Sequence, residues 1–181
     1  MGLPTRSQSL DKFVSEIFFQ VNLSTADTSV LSVFKTNKKF KYIVQEGWTS
    51  YGPLAFSNDT PRFYNFEFTR NSFFDTSFKD GKLTLITRTN KDTTFLYSIY
   101  LGVTTFDLVA ADSTYNLLSK RFKSLMARNW NQNGLDSLHK IINFLNKEKT
   151  KRVALAKHYE LAAPLTSKKK SVHISISMIY L

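Results

Sequence analysis

The chain has 181 residues, enough for one domain with a real core, and 42% of them are hydrophobic, a globular rather than a disordered composition. It contains no cysteine, which excludes disulfides, thiolate nucleophiles, iron–sulfur clusters and cysteine-ligated zinc. The net charge of +11 is unevenly spread: the last 69 residues hold 13 of the 25 basic residues and only 3 of the 14 acidic ones, which points that part of the chain at an anionic partner.

Residues 1–8 read as a polar, flexible leader ahead of a single domain that takes up the rest of 1–181. The leader suggests an export signal removed from the chain, so an exported, periplasmic or cell-surface location is favoured over a cytoplasmic one. The best apolar stretch, Phe13 to Leu23, is interrupted by Glu16 and Gln20. No run approaches the ~20 apolar residues of a membrane-spanning helix, so no transmembrane segment is expected.

Ser9 is placed to cap a first helix over 10–22, with Asp11 in its first turn and Leu10, Phe13, Val14, Ile17 and Val21 on one face. Ser24 with Asp27 three residues later resembles a capping box, opening a second helix over 25–36. The middle of the chain is β. Phe40, Tyr42 and Val44 alternate with polar or exposed positions, and Tyr64, Phe66 and Phe68 do the same after a loop over 47–61. Asp80-Gly81 predicts a tight hairpin turn between strands 76–79 and 82–88, because this dipeptide accepts positive φ. Asn90-Lys91-Asp92 makes the next turn, and Phe95, Tyr97, Ile99 and Leu101 then line one face of a further strand.

Helical spacing returns near Asp112, with Tyr115, Leu118, Phe122, Leu125 and Met126 on one stripe. Asn133-Gly134 stops that run, and Leu135, Leu138, Ile141, Ile142 and Leu145 predict another helix. Residues 152–161 fit helix or strand, and Val172, Ile174, Ile176 and Met178 read as a closing strand. The fold class is therefore α+β: an antiparallel meander of about five or six strands, with N-terminal and C-terminal helices packed on one face. The expected core contains Phe66, Phe68, Phe95, Tyr97, Ile99, Leu118, Phe122, Leu125, Ile142 and Leu145.

No catalytic signature is present. His139, His158 and His173 show no HxxxH or HExxH spacing, so no helical zinc site is expected, and each histidine reads as an ordinary surface residue. There is no GxSxG elbow, and Gly81-Lys82 lacks the upstream glycine of a phosphate loop. Nothing implies a cofactor. The expected role is that of a non-enzymatic binding or interaction protein. Arg121 and Arg128 are seven apart, as are Lys140 and Lys147, so each pair shares a helix side. With Lys151 and Arg152 they form the candidate anion-binding set. The partner would be an acidic protein, nucleic acid or anionic lipid. A small-ligand carrier or enzyme, with a pocket between sheet and helices, is the other alternative.

Overall fold

The computed structural model describes residues 9–24, 26–43, 61–90, 93–133, 139–161 and 170–181. Ser9 opens the first helix as its side chain allows, its hydroxyl accepting the Lys12 N–H at 3.3 Å, and α1 runs Leu10–Ile17 with Phe13, Val14 and Ile17 buried. It ends well short of residue 22 because Phe19 and Gln20 take φ of 60° and 65°. The left-handed conformation costs roughly 1–2 kcal/mol per residue. Phe19 recovers much of this through edge-on contacts with Phe34, Phe40 and Phe68, each worth about 0.5–1.5 kcal/mol beyond area burial. The second helix, α2, is Val30–Thr36 and starts later than expected. Asp27 Oδ1 accepts the Ser29 N–H at 2.8 Å, so the carboxylate closes a local turn there and Ser24 opens no helix.

Eight strands and one further helix follow: β1 Phe40–Ile43, β2 Arg62–Phe68, β3 Lys79–Asn90, β4 Thr93–Thr105, α3 Leu108–Leu125, β5 Arg128–Asn133, β6 His139–Leu145, β7 Lys151–Leu161 and β8 Lys170–Tyr180. They form one antiparallel sheet in the order β1-β2-β3-β4-β8-β7-β6-β5. The sheet is two four-strand meanders, each preceded by helix, joined where their last strands β4 and β8 pair from Ser98↔Ile179 to Thr105↔Val172.

Several sequence expectations are corrected. The sheet has eight strands, not five or six. Over 139–145, where helix was expected, the chain forms β6, and the ambiguous 152–161 segment is β7. Isoleucine and phenylalanine at 141, 142 and 144 favour a pleated surface, and Phe144 is fully buried opposite Val153. Gly134, Leu135 and Leu138 lie outside the described residues, as do residues 1–8, Val44, nearly all of the 47–61 loop, Lys91, Asp92 and 162–169.

Asp80-Gly81 is no hairpin turn. Both residues lie inside β3, where three steps from Lys79 to Lys82 match two steps from Thr104 to Gly102 on β4. The surplus residue is a β-bulge, and Asp80 supplies its positive φ of 51°. Gly81 sits directly beneath Phe68, where a Cβ would fall 1.9 Å from the ring, so the position admits no side chain without displacing that phenylalanine.

A second bulge reorders the expected core. Ile86 pairs with Ser98 but Thr87 pairs with Leu96, leaving Tyr97 as the extra residue on β4. The alternation therefore shifts: Leu96, Ile99 and Leu101 are fully buried, while Phe95 and Tyr97 are only partly covered. Of the remaining expected core residues, Phe66, Phe68, Leu118 and Phe122 are buried, and Leu125 and Ile142 pack against the core's margin. Leu145 is only partly buried, paired between Arg128 and Arg152.

The third helix begins at Leu108 because Asp107 caps it, its Oδ1 accepting the Ala110 N–H at 2.9 Å. It lies against β4, β6, β7 and β8. Phe122 meets Phe13 of α1 and Phe144 of β6 at ring distances of 5.2 and 5.3 Å. Two lysines on the same face of β7 reach the helices. Lys151 bonds Asp11 of α1 at 2.7 Å and the Leu23 carbonyl at 3.2 Å, and Lys157 bonds Asp112 of α3.

Candidate binding site on the outer face of the sheet

Side chains alternate across a strand, and residues directly opposite on neighbouring strands share a face. Val153 and Leu155 of β7, Val172, Ile174, Ile176 and Met178 of β8, and Ile99, Leu101 and Val103 of β4 form the buried core face. The intervening residues form the other face, and the registers arrange them in rows that cross the sheet. One row runs Arg128, Leu145, Arg152, Ile179, Ser98, Ile86 and Phe63. The next runs Trp130, Asn143, Ala154, Ser177, Tyr100, Thr84 and Asn65. A third carries Ile141, Ala156, Ser175, Gly102 and Lys82.

Two features distinguish this face. Its centre is floored by small residues: Ser98 and Gly102 on β4, Ser175 and Ser177 on β8, Ala154 and Ala156 on β7. Larger chains stand on either side. On β3 and β4, Arg88 lies over the Tyr97 ring at 3.8 Å, and on β5 Trp130 is 43% exposed. The second feature is Arg152. Its side chain is partly buried, and its Nε is shielded from solvent with no hydrogen-bond partner among the described residues. Its row neighbours Leu145 and Ile179 offer it only carbon. A buried guanidinium nitrogen without a partner costs about 1–3 kcal/mol, and more when charged.

The far end of the face carries a polar constellation. His139 pairs in register with His158, His158 with His173, and His173 with Thr104. The rings of His158 and His173 are 4.7 Å apart. His173 Nε2 lies 2.8 Å from the Tyr100 hydroxyl and its Nδ1 3.1 Å from Thr104 Oγ1. Gly102 makes this possible. A Cβ there would fall 2.6 Å from the His173 ring and 2.7 Å from the Tyr100 hydroxyl, in the space the hydrogen bond occupies.

The six sequence-selected cations are distributed over different elements. Arg121 is on α3 with its guanidinium 5.8 Å from the Phe13 ring centre, Lys140 is exposed on β6, and Lys147 is exposed in the turn before β7. Lys151 faces the core and is bonded to Asp11. The register brings Arg128 and Arg152 together, one on each side of Leu145 in the same row. A two-helix surface for all six does not exist, because Arg128, Lys140, Lys151 and Arg152 lie on strands and Lys147 in a turn.

On the core face, burial alone would lower the Lys157 pKa, but its hydrogen bonds to Asp112 and Tyr159 outweigh that and hold it above the ordinary lysine range. Burial raises the Tyr115 phenol, opposed by the Lys157 charge, and burial with the nearby Asp11 charge raises Tyr180 strongly. These groups serve the fold. Tyr180 donates its hydroxyl proton to the Leu23 carbonyl at 2.9 Å, beside Lys151.

A separate cleft of about 460 Å³ opens at the sheet's other edge, lined by Lys38, Lys39, Lys41, Lys82, Glu67 and Asp80 with intervening backbone and Phe40 and Phe68. Its two carboxylates partly offset its four ammonium groups. No helix among the described residues is long and apolar enough to cross a membrane. No family model matches the chain, and neither a curated protein nor a solved structure is similar to it.

Proposed function

We propose that the chain is a non-enzymatic binding protein whose helices cover one face of the sheet and whose other face receives an amphipathic anion. Such a ligand carries a carboxylate or phosphate on an apolar body. The observation that carries the reading is Arg152, whose Nε is enclosed without an acceptor among the described residues. A planar guanidinium with several donors is suited to a carboxylate or phosphate. Arg128 stands in the same row and adds a second charge. Leu145, Ile179, Ile86 and Phe63 continue that row with carbon, and Trp130 in the next row borders it. The serines of β8, Ser175 and Ser177, and the alanines of β7, Ala154 and Ala156, are short where long chains usually cover a solvated sheet face, which supports room for the apolar body beside Arg152.

The core argues against a ligand cavity between sheet and helices. Phe13, Val14, Ile17, Phe34, Leu118 and Phe122 of the helices join the buried strand residues in one cluster. The test is titration of the full chain with a medium-chain fatty acid, an alkyl phosphate, the matching neutral alcohol and inorganic phosphate. The amphipathic anions should bind at least tenfold more tightly than either the alcohol or the bare anion, and Arg152→Gln should remove that preference. Equal binding of acid and alcohol, or an unchanged preference in Arg152→Gln, would sink the reading.

A further inference from the structure

The cleft of about 460 Å³ at the β1 edge gathers four lysines and two carboxylates around one hollow. We propose that it binds a phosphomonoester of a polyol, as a free sugar or inositol phosphate or as the same group at the head of a lipid. β2 is four strands from β7, about 19 Å across the sheet, so this site does not depend on the Arg152 reading.

Local chemistry brings the lining together from separate elements. After α2, Asn37 Oδ1 accepts the Lys39 N–H and the Asn37 carbonyl accepts the Phe40 N–H, both at 3.0 Å. An asparagine turn of this kind reverses the chain before β1 and leaves Lys38 and Lys39 in the lining. On the strands, Lys41 pairs with Glu67 and Glu67 with Lys82, so a carboxylate stands between two lysines in one row. The bulge of β3 adds Asp80. Phe40, Phe68 and Gly81 pair across the same three strands, and the close approach of the Phe68 ring to Gly81 fixes that part of the wall.

The charges specify the ligand. Among the described residues none of these four lysines makes an ion pair, whereas Lys151 and Lys157 both do. The cleft therefore holds two more positive than negative charges, and a phosphomonoester carries about −1.5 to −2 at neutral pH. Lysine meets phosphate as a point charge. Ionised carboxylates only accept hydrogen bonds, so Glu67 and Asp80 repel a bare anion but take the hydroxyl groups of a polyol. A nucleotide base finds no free ring to stack on, because Phe40 and Phe68 both pack edge-on against Phe19. The volume lies within the ~300–1,000 Å³ of ordinary ligand sites.

Lysine on an edge strand also discourages pairing with another sheet. That accounts for Lys41 on β1 but not for Lys82, which lies on β3 with a strand on each side.

The experiment is calorimetric titration of the full chain with inositol monophosphate, inositol and inorganic phosphate. Sedimentation with phosphatidylcholine vesicles, with and without phosphatidylinositol monophosphate, runs in parallel. Inositol monophosphate should bind at least tenfold more tightly than inositol or inorganic phosphate. A Lys41→Gln Lys82→Gln chain should lose at least tenfold. A Lys120→Gln Lys123→Gln chain, which removes the same charge from the exposed side of α3, should bind as wild type does, and so should Arg152→Gln. Glu67→Gln should narrow the preference for the ester over inorganic phosphate. All four lysines are exposed, so far-ultraviolet spectra and Tm should stay unchanged. Binding of the free ester without the doped vesicles identifies a soluble ligand, and binding of doped over plain vesicles identifies the lipid head; either supports the proposal. No binding of the ester, equal binding of ester and inorganic phosphate, or equal weakening in the two double variants would overturn it.

Discussion

Lys151 Nζ lies 2.7 Å from Asp11 Oδ1, so the first residue of β7 is tied to the first turn of α1 across 140 positions of sequence. The two partners are unequal: the lysine side chain is 9% exposed and the aspartate 51%. Removing the carboxylate strands a charge in the interior, whereas removing the ammonium leaves a carboxylate that water can reach. Breaking a fully buried pair costs about 3–5 kcal/mol, and the half-exposed aspartate reduces this. Asp11→Ala is therefore expected to cost about 2–3 kcal/mol, and Lys151→Met about 1 kcal/mol or less. The Leu23 carbonyl keeps its bond from Tyr180 in the second variant. Urea unfolding checks the order, and a larger loss in Lys151→Met would contradict it.

Stability should fall at alkaline pH. Lys157, Tyr115 and Tyr180 all have pKa values raised in the folded chain. The unfolded groups release their protons first, near their ordinary values of about 10. The stabilisation is thus complete below about pH 10 and is lost as the pH rises through the folded values. Tm measured from about pH 9 to 11 should decline, and Tyr180→Phe should decline less steeply than wild type. Identical slopes in the two proteins would assign the loss elsewhere.

Gly102→Ala places a methyl 2.6 Å from the His173 ring. The ring must swing away, which breaks its contact with Tyr100. Overpacking of this kind costs about 1–3 kcal/mol. The histidine Nε2 resonance should lose its hydrogen-bonded shift in the folded variant. A variant with wild-type stability and an unchanged His173 signal would show that the space beneath the ring is not constrained.

The bulge at Tyr97 makes a sharp distinction between neighbours. Leu96 is fully buried, while Phe95 stays partly covered on the opposite face. Leu96→Ala should cost about 2–5 kcal/mol, the usual range for a core leucine. Phe95→Ala should cost clearly less despite the greater volume removed. Chemical unfolding of the pair decides it, and the reverse order would place the bulge wrongly.

How much of this was legible in the sequence depends on what each signal measures. Ser9 and the Phe13, Val14, Ile17 stripe located α1 because capping and periodicity are local. The Val172 to Met178 alternation located β8 for the same reason. The helix expectation failed over 139–145 because isoleucine and leucine at three- and four-residue spacing also fit a strand, and pairing with β7 decides between them. Asp80-Gly81 declared a positive φ correctly but not its setting, since a bulge and a hairpin need the same backbone. At the candidate site, Arg128 and Arg152 were selected for their charge, but their shared row depends on the registers of β5 with β6 and β6 with β7. The histidine row was hidden for the same reason, with His139 assigned to a helix that does not exist. Lys151 was counted among the binding cations because nothing local shows that it faces Asp11.

The most direct measurement of the anion reading is the Nε–Hε resonance of Arg152 in a nitrogen–proton correlation spectrum, assigned by comparison with Arg152→Gln. Titration with a medium-chain fatty acid should shift this signal downfield and saturate, with smaller movements at Leu145 and Ile179, while the matching alcohol leaves it in place. An Arg152 signal that stays fixed while the acid binds elsewhere on the chain would contradict the account.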